Sequence, residues 1–247
     1  MKAASLTVRD LSRSFGGLRA VDRVSFTATA AKITTVIGPN GAGKSTLFNL
    51  ISGALHPDQG TVALNDRDVT SMSPELLKCA GVSRSFQITN LFSDLTVGEN
   101  LRIAAQFLEP ARSMFLPIRK STRALRKCSE VLNRFGLAAK AGVLAGALSH
   151  GEQRRLEVAM CLASNPGILM LDEPTQGMSH GDTAETAKML KELSKEVTIL
   201  LVEHDIGLVM SLSDHVVVMH QGRKLSEGSP AEVRANADVQ AAYFGHH

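Results

Sequence analysis

Gly38-Pro39-Asn40-Gly41-Ala42-Gly43-Lys44-Ser45-Thr46 carries the spacing Gly-x-x-x-x-Gly-Lys-Ser between an apolar run, Ile33–Ile37, and a helical pattern over Lys44–Ser52. A strand, a glycine-rich turn and a helix start in that order wrap backbone N–H groups around an anion at a helix N-terminus, where the helix dipole also favours negative charge. Glycines let the backbone turn tightly and approach the phosphates. Lys44 is placed to reach the β- and γ-phosphates and Ser45 to ligate Mg²⁺, so the chain is expected to bind ATP with Mg²⁺.

Outward from this loop, strand-like apolar runs recur at Ile168–Leu171, Ile199–Val202 and Val216–Met219, with helical patterns between several of them. Such alternation predicts an α/β fold with a mostly parallel sheet and ligands at the carboxyl ends of its strands. Leu6–Leu11 and Val24–Thr29, joined across Gly16-Gly17, and Thr61–Asn65 after the turn at 56–60 predict a small antiparallel β layer. From Leu91 to about Met160 helical patterns dominate, broken at Pro110, Pro117, Gly136 and Gly142. One domain over 1–247 is expected, with 1–87 and 161–247 forming a nucleotide-binding core and 88–160 an inserted α-helical subdomain. Ser229-Pro230-Ala231-Glu232 announces a short final helix through a capping box and a proline in the first turn.

Asp172 and Glu173 end an apolar strand at the sheet edge where the phosphate loop opens. Mg²⁺ and its waters would give Asp172 a partner there, while Glu173 is positioned to polarise an attacking water as general base. The plainer alternative is a pair that only caps the turn at Pro174. Leu148-Ser149-His150-Gly151-Glu152 reads first as a capping box, yet a helix start with a serine hydroxyl and a glycine also suits an anion. His204 follows the strand Thr198–Glu203 at the same sheet edge as Asp172, as a ligand or as a surface residue. Gln87, after the run Val82–Phe86, says little by its context alone.

With 247 residues and 44% hydrophobic content the chain can bury a full core. No apolar run approaches the roughly 18 residues of a membrane-spanning helix, so a cytoplasmic protein is expected. Cys79, Cys128 and Cys161 lack an even count and a metal-ligand spacing, and read as reduced thiols. A net charge of +3 is too small for nucleic-acid binding over the whole surface. One local basic stretch holds Arg112, Arg119, Lys120, Arg123, Arg126 and Lys127. It reads as a contact for a membrane or acidic partner, or as a solvated helix face opposite an apolar stripe of Leu125, Cys128, Leu132 and Phe135.

The phosphate loop, Gln87, Leu148–Glu152, Asp172-Glu173 and His204, in that order, resemble the ATP-binding cassette (ABC) ATPases over essentially the whole chain. Ser14–Leu18, Arg84–Gln87, Leu95–Leu101 and Asp238–Gly245 extend the resemblance to the nucleotide-binding subunits of branched-chain amino-acid and related amide or urea importers. The resemblance implies a homo- or heterodimer with a second ABC ATPase subunit, in which the phosphate loop of one and Ser149–Gly151 of the other close on one ATP. Phe15 would stack on adenine, Gln87 would sense Mg²⁺ and the attacking water, and His204 would contact the γ-phosphate. Glu173, His204 and Gln87 would be catalytic, and Ser45, Gln87 and Asp172 would hold the metal. Transmembrane permease subunits would dock on the helical insertion at the cytoplasmic face of the inner membrane, served indirectly by a solute-binding protein and without nucleic acid.

Departures from the family pattern are His150 and Glu152 in a signature that usually reads Leu-Ser-Gly-Gly-Gln, and Ser179 where many cassettes carry an aspartate. They put phosphate affinity at the signature and coupling between the sites in question. Alternatives within the superfamily are a soluble mechanical or regulatory ATPase acting on nucleic acid or the ribosome, and a lipid-extracting cassette.

Overall fold

Ile33–Ile37 (β3), Ile168–Asp172 (β7) and Thr198–Val202 (β8) are buried at every position, as strands covered on both faces must be. The computed structural model describes residues 2–85, 91–109 and 121–244. Within them β3 pairs in parallel with β8 and with His215–His220 (β9), and β7 pairs in parallel with β8 and with Val82–Arg84 (β6). Arg223–Gly228 (β10) closes the edge antiparallel to β9, giving the order β10-β9-β3-β8-β7-β6. A second, antiparallel sheet runs β2-β1-β4-β5 through Leu18–Ala28, Leu6–Phe15, Gln59–Leu64 and Arg67–Asp68. Both predicted layers are present, and β5, β6 and β10 are additions.

Alternation along the central strands sends side chains to opposite faces. Val36, Met170, Leu200 and Val202 pack with Leu47, Phe48, Leu50 and Ile51 of α1 (Lys44–Ile51) and with the β-layer residues Leu6, Val8 and Phe26. Ile33, Leu169, Leu171, Ile199 and Leu201 face the other way, onto residues of α3 (Val97–Ala105), α4 (Thr122–Arg134), α5 (His150–Leu162) and α6 (His180–Leu193). The helical stretch therefore shares a core with the sheet. A third cluster joins Ile37, Val216 and Val218 to α7 (Ile206–Leu212), α8 (Pro230–Ala235) and α9 (Ala237–Phe244).

The capping box of α8 forms as expected, Ser229 accepting from the Glu232 N–H. The apolar stripe expected on α4 forms at Cys128, Leu132 and Phe135 but not at Leu125. Ala124, Cys128, Val131 and Phe135 are buried while Leu125 is exposed, since the spacing 124-128-131 turns that face to the core. Lys127 is buried too, its ammonium donating to Glu130 at 2.8 Å; its apolar stem follows the core while the charged head finds a partner. The basic stretch is thus not one solvated face: Arg123 and Arg126 are exposed, and Arg112, Arg119 and Lys120 lie outside the described residues. Cys79, Cys128 and Cys161 are free thiols, and burial pushes the Cys161 thiol up to about 12.

Candidate active site

Gly43 caps α1 with φ 97° and no side-chain bond, and the first turn of α1 holds no acid. A Cβ at Gly43 would lie 2.3 Å from the Ala20 carbonyl oxygen, so the loop is locked to β2 and admits only glycine. Lys44 is buried and donates to the carbonyls of Gly38 at 2.7 Å and Pro39 at 3.0 Å. Burial holds its ammonium below the usual lysine range, offset in part by the negative charges of Glu173 and Asp172. That mutual influence brings the phosphate loop and the acidic strand end into one electrostatic site. Asn40 and Ser45 are exposed, Pro39 and Thr46 are half-buried, and Ala42 is buried.

Asp172 ends β7 and is 4% exposed, and burial raises its carboxyl above the ordinary aspartate range against the opposing pull of Arg84. Beside the Mg²⁺ that the sequence led us to expect, the chain supplies a cation of its own next to Asp172. Arg84 of β6 donates to Asp172 at 3.5 Å, to Asn49 Oδ1 and Ser52 Oγ of the α1 region at 2.7 Å each, and stacks 5.7 Å from the Phe48 ring. It thereby ties together the strand leading to Gln87, the phosphate-loop helix and the acidic strand end.

Glu173 sits at φ 47°, a left-handed conformation that costs a non-glycine residue about 1–3 kcal/mol and concentrates at working sites. Its N–H donates to Val202 at 2.9 Å, and its Oε1 lies 3.8 Å from His204 Nδ1, so these two predicted residues are brought together. His204 is 59% exposed on its side chain, open to an incoming group. Beneath it Glu203 is fully buried and accepts from the Thr175 hydroxyl at 2.6 Å, the Thr175 N–H at 3.3 Å and the His204 N–H at 3.3 Å. Burial pushes the Glu203 carboxyl up, and the Thr175 bonds counter it.

Ser149 caps α5 and forms the full capping box with Glu152. Lys140 donates to the other Glu152 oxygen at 2.5 Å and holds that carboxyl below the glutamate range. A Cβ on Gly151 would lie 2.8 Å from the Asp182 carboxylate, and one on Gly177 would lie 3.2 Å from the His150 ring. The signature therefore leans on the loop after Pro174 within its own chain. Ser179 caps α6 and hydrogen-bonds Asp182 at 2.6 Å. Phe15, 46% exposed at the end of β1, has the Arg13 guanidinium 5.2 Å from its ring. Gln87 lies outside the described residues.

Sequence reasoning gave no role to Arg84, Lys140 or Glu203. A carboxylate directly after the apolar run 198–202 was the available signal for Glu203, the same one that exposed Asp172. The donors offered to a metal, the Ser45 hydroxyl and the Asp172 carboxylate, are hard oxygens of the kind Mg²⁺ takes alongside substrate phosphates. Among the described residues no group of three or more His, Cys, Asp or Glu stands ready to hold a metal ion without such phosphates.

The ABC transporter family profile matches residues 21–176, and that of the branched-chain amino acid ATP-binding cassette transporters matches residues 223–247. The chain is 40% identical, over 99% of both chains, to the high-affinity branched-chain amino acid transport ATP-binding protein LivG of Salmonella typhimurium. It is 38% identical, with 99% of each chain covered, to the corresponding protein BraF of Pseudomonas aeruginosa. Among solved structures, the ADP conformation of an ATP-binding cassette of an ABC transporter superposes with a TM-score of 0.88 at 31% identity, covering 99% of this chain and all of the other.

Proposed function

Because the chain belongs to the ABC transporter family of nucleotide-binding, ATP-hydrolysing subunits, we propose that it powers import of a branched-chain amino acid or a related amide or urea solute. The carrying observation is the convergence of Lys44, Asp172, Glu173 and His204 on one sheet edge, with Glu173 Oε1 3.8 Å from His204 Nδ1. The solute class is supported by the 25-residue C-terminal match, 223–247, and by the names of the full-length relatives.

In this reading the N–H groups of Gly38–Thr46 and the Lys44 ammonium hold the β- and γ-phosphates. Ser45, Asp172 and Gln87 would hold Mg²⁺, which supplies charge neutralisation at the phosphates. Glu173 accepts a proton from the attacking water as the new O–P bond forms and the bond to ADP breaks. His204 donates to the γ-phosphate, and its exposure together with the adjacent Glu173 supports that role. Phe15 stacks on adenine. Ser149 and Gly151 close on the ATP of a second cassette, identical or homologous, and the α5 N-terminus supplies the anion-seeking dipole.

The division into a core (1–87, 161–247) and a helical subdomain (88–160) belongs to the same proposal. A groove of about 450 Å³ between them, lined by Leu77, Lys78, Arg84, Ile103 and Met160, supports docking of permease subunits there. Leu76, Ile103 and Phe107 stand exposed, an apolar surface available for such a contact. Among the described residues no helix is long and apolar enough to cross a membrane, which fits peripheral attachment at the cytoplasmic face. Purification from source membranes tests the whole reading. Recovery of polytopic permease subunits, with ATP turnover raised by a periplasmic solute-binding protein, is the expected result. Turnover that depends on nucleic acid or ribosomes, with no membrane partner, would replace this reading with that of a soluble mechanical ATPase.

A further inference from the structure

The first turn of α5 is faced by acids. Glu152 is mostly buried there, one oxygen accepting from the Ser149 N–H at 3.1 Å. The Asp182 carboxylate packs where a Cβ of Gly151 would stand, 2.8 Å away, and receives the Ser179 hydroxyl at 2.6 Å. A helix N-terminus offers only about half a positive charge. Unrelieved carboxylates beside it cancel the attraction for a phosphate.

Lys140 is the cation that relieves Glu152. It ends a short 3-10 turn, Ala138–Lys140, and its ammonium donates to Glu152 Oε1 at 2.5 Å. The backbone around it is pinned to the start of α3: the Val97 N–H donates to Val143 and the Gly98 N–H to Ala141, at 2.9 Å each. The lysine is therefore delivered to Glu152 by ordered chain, from outside α5.

We propose that Lys140 is a positioning residue of the signature: by pairing with Glu152 it neutralises the acid that stands where related cassettes carry a glutamine, and leaves the α5 N–H groups able to receive the γ-phosphate of ATP held by the second cassette. The proposal rests on the reading that Ser149–Gly151 closes on that ATP. Lys140 itself touches no substrate; it acts through Glu152. The capping bond from the Ser149 N–H is made to Glu152 Oε2, the oxygen that Lys140 does not meet, so the role assigned to Lys140 is electrostatic.

The test is steady-state ATP hydrolysis by the assembled transporter carrying Lys140→Ala, Lys140→Arg, Ser149→Glu, or Lys140→Ala with Glu152→Gln. Lys140→Ala is expected to raise KM for ATP by roughly three- to tenfold, the size of a terminal helix charge effect, with kcat little changed. Lys140→Arg should stay near the parent, and the double variant should recover most of the lost affinity because the uncompensated charge is gone. A parental KM in Lys140→Ala overturns the proposal. So does a double variant as impaired as the single one, which would mean that Lys140 acts through folding. Ser149→Glu reports on the clasp by itself: parental kinetics there overturn the clasp reading, whereas impairment there beside a parental Lys140→Ala removes only the role of Lys140.

Discussion

The Thr175 hydroxyl donates to Glu203 Oε1 at 2.6 Å across 28 residues of sequence. Thr175 lies two residues beyond the proposed base Glu173, and Glu203 immediately precedes His204. The bond therefore fastens the loop leaving the base to the strand end bearing the histidine. Thr175→Val removes the hydroxyl donor from a fully buried carboxylate and should cost about 1–3 kcal/mol of stability, measured by urea unfolding. Turnover should fall while ATP affinity holds, because the phosphate loop is untouched.

Glu203 also sets a pH dependence. Its carboxyl is raised in the folded chain by burial, so the folded state binds a proton more tightly than the unfolded one. The stability that this proton contributes is fully present below the ordinary glutamate range and is lost as pH rises through the folded value. Glu203→Gln removes the titration. Stability of the variant relative to the parent should rise as the pH climbs from 4 towards 7, followed by thermal melting across that range. A difference independent of pH would show that the buried carboxyl is not raised.

Arg84 compensates Asp172. Arg84→Ala leaves a buried carboxylate without its cation and strips Asn49 and Ser52 of a donor. Loss of one partner from a buried pair costs about 3–5 kcal/mol, to be read as a fall in the unfolding free energy. Arg84→Met should cost less than Arg84→Ala if packing on the Phe48 ring is a major part of its role, and about the same if charge dominates.

Gly43→Ala would press a Cβ to 2.3 Å from the Ala20 carbonyl at φ 97°. Strain at such a position costs about 1–3 kcal/mol before any clash is counted. The variant should be less stable by at least that much and bind ATP weakly in a fluorescent-nucleotide titration. Gly41→Ala, at φ 79° but with open space around its Cβ, should be milder in stability.

β3, β7 and β8 were legible because burial on both faces writes short runs of apolar and β-branched residues. β10 was not, since Arg223–Gly228 is a polar edge strand with no such run. Lys44, Asp172 and the Ser149 capping box were legible because their chemistry is local to a loop or a helix start. Arg84–Asp172, separated by 88 residues, and Glu203–Thr175 were not, because only folding makes these pairs neighbours. In the α4 stripe only Leu125 falls outside the core, since Ala124 fits the spacing equally and the smaller residue faces inward.

Activation of the attacking water is the role proposed for Glu173. Single-turnover and steady-state ATP hydrolysis by Glu173→Gln, alongside ATP binding, tests it most directly. Retained ATP binding with turnover reduced by about 10²–10⁴-fold, the contribution of a general base, is expected; parental turnover in that variant would remove Glu173 from that role.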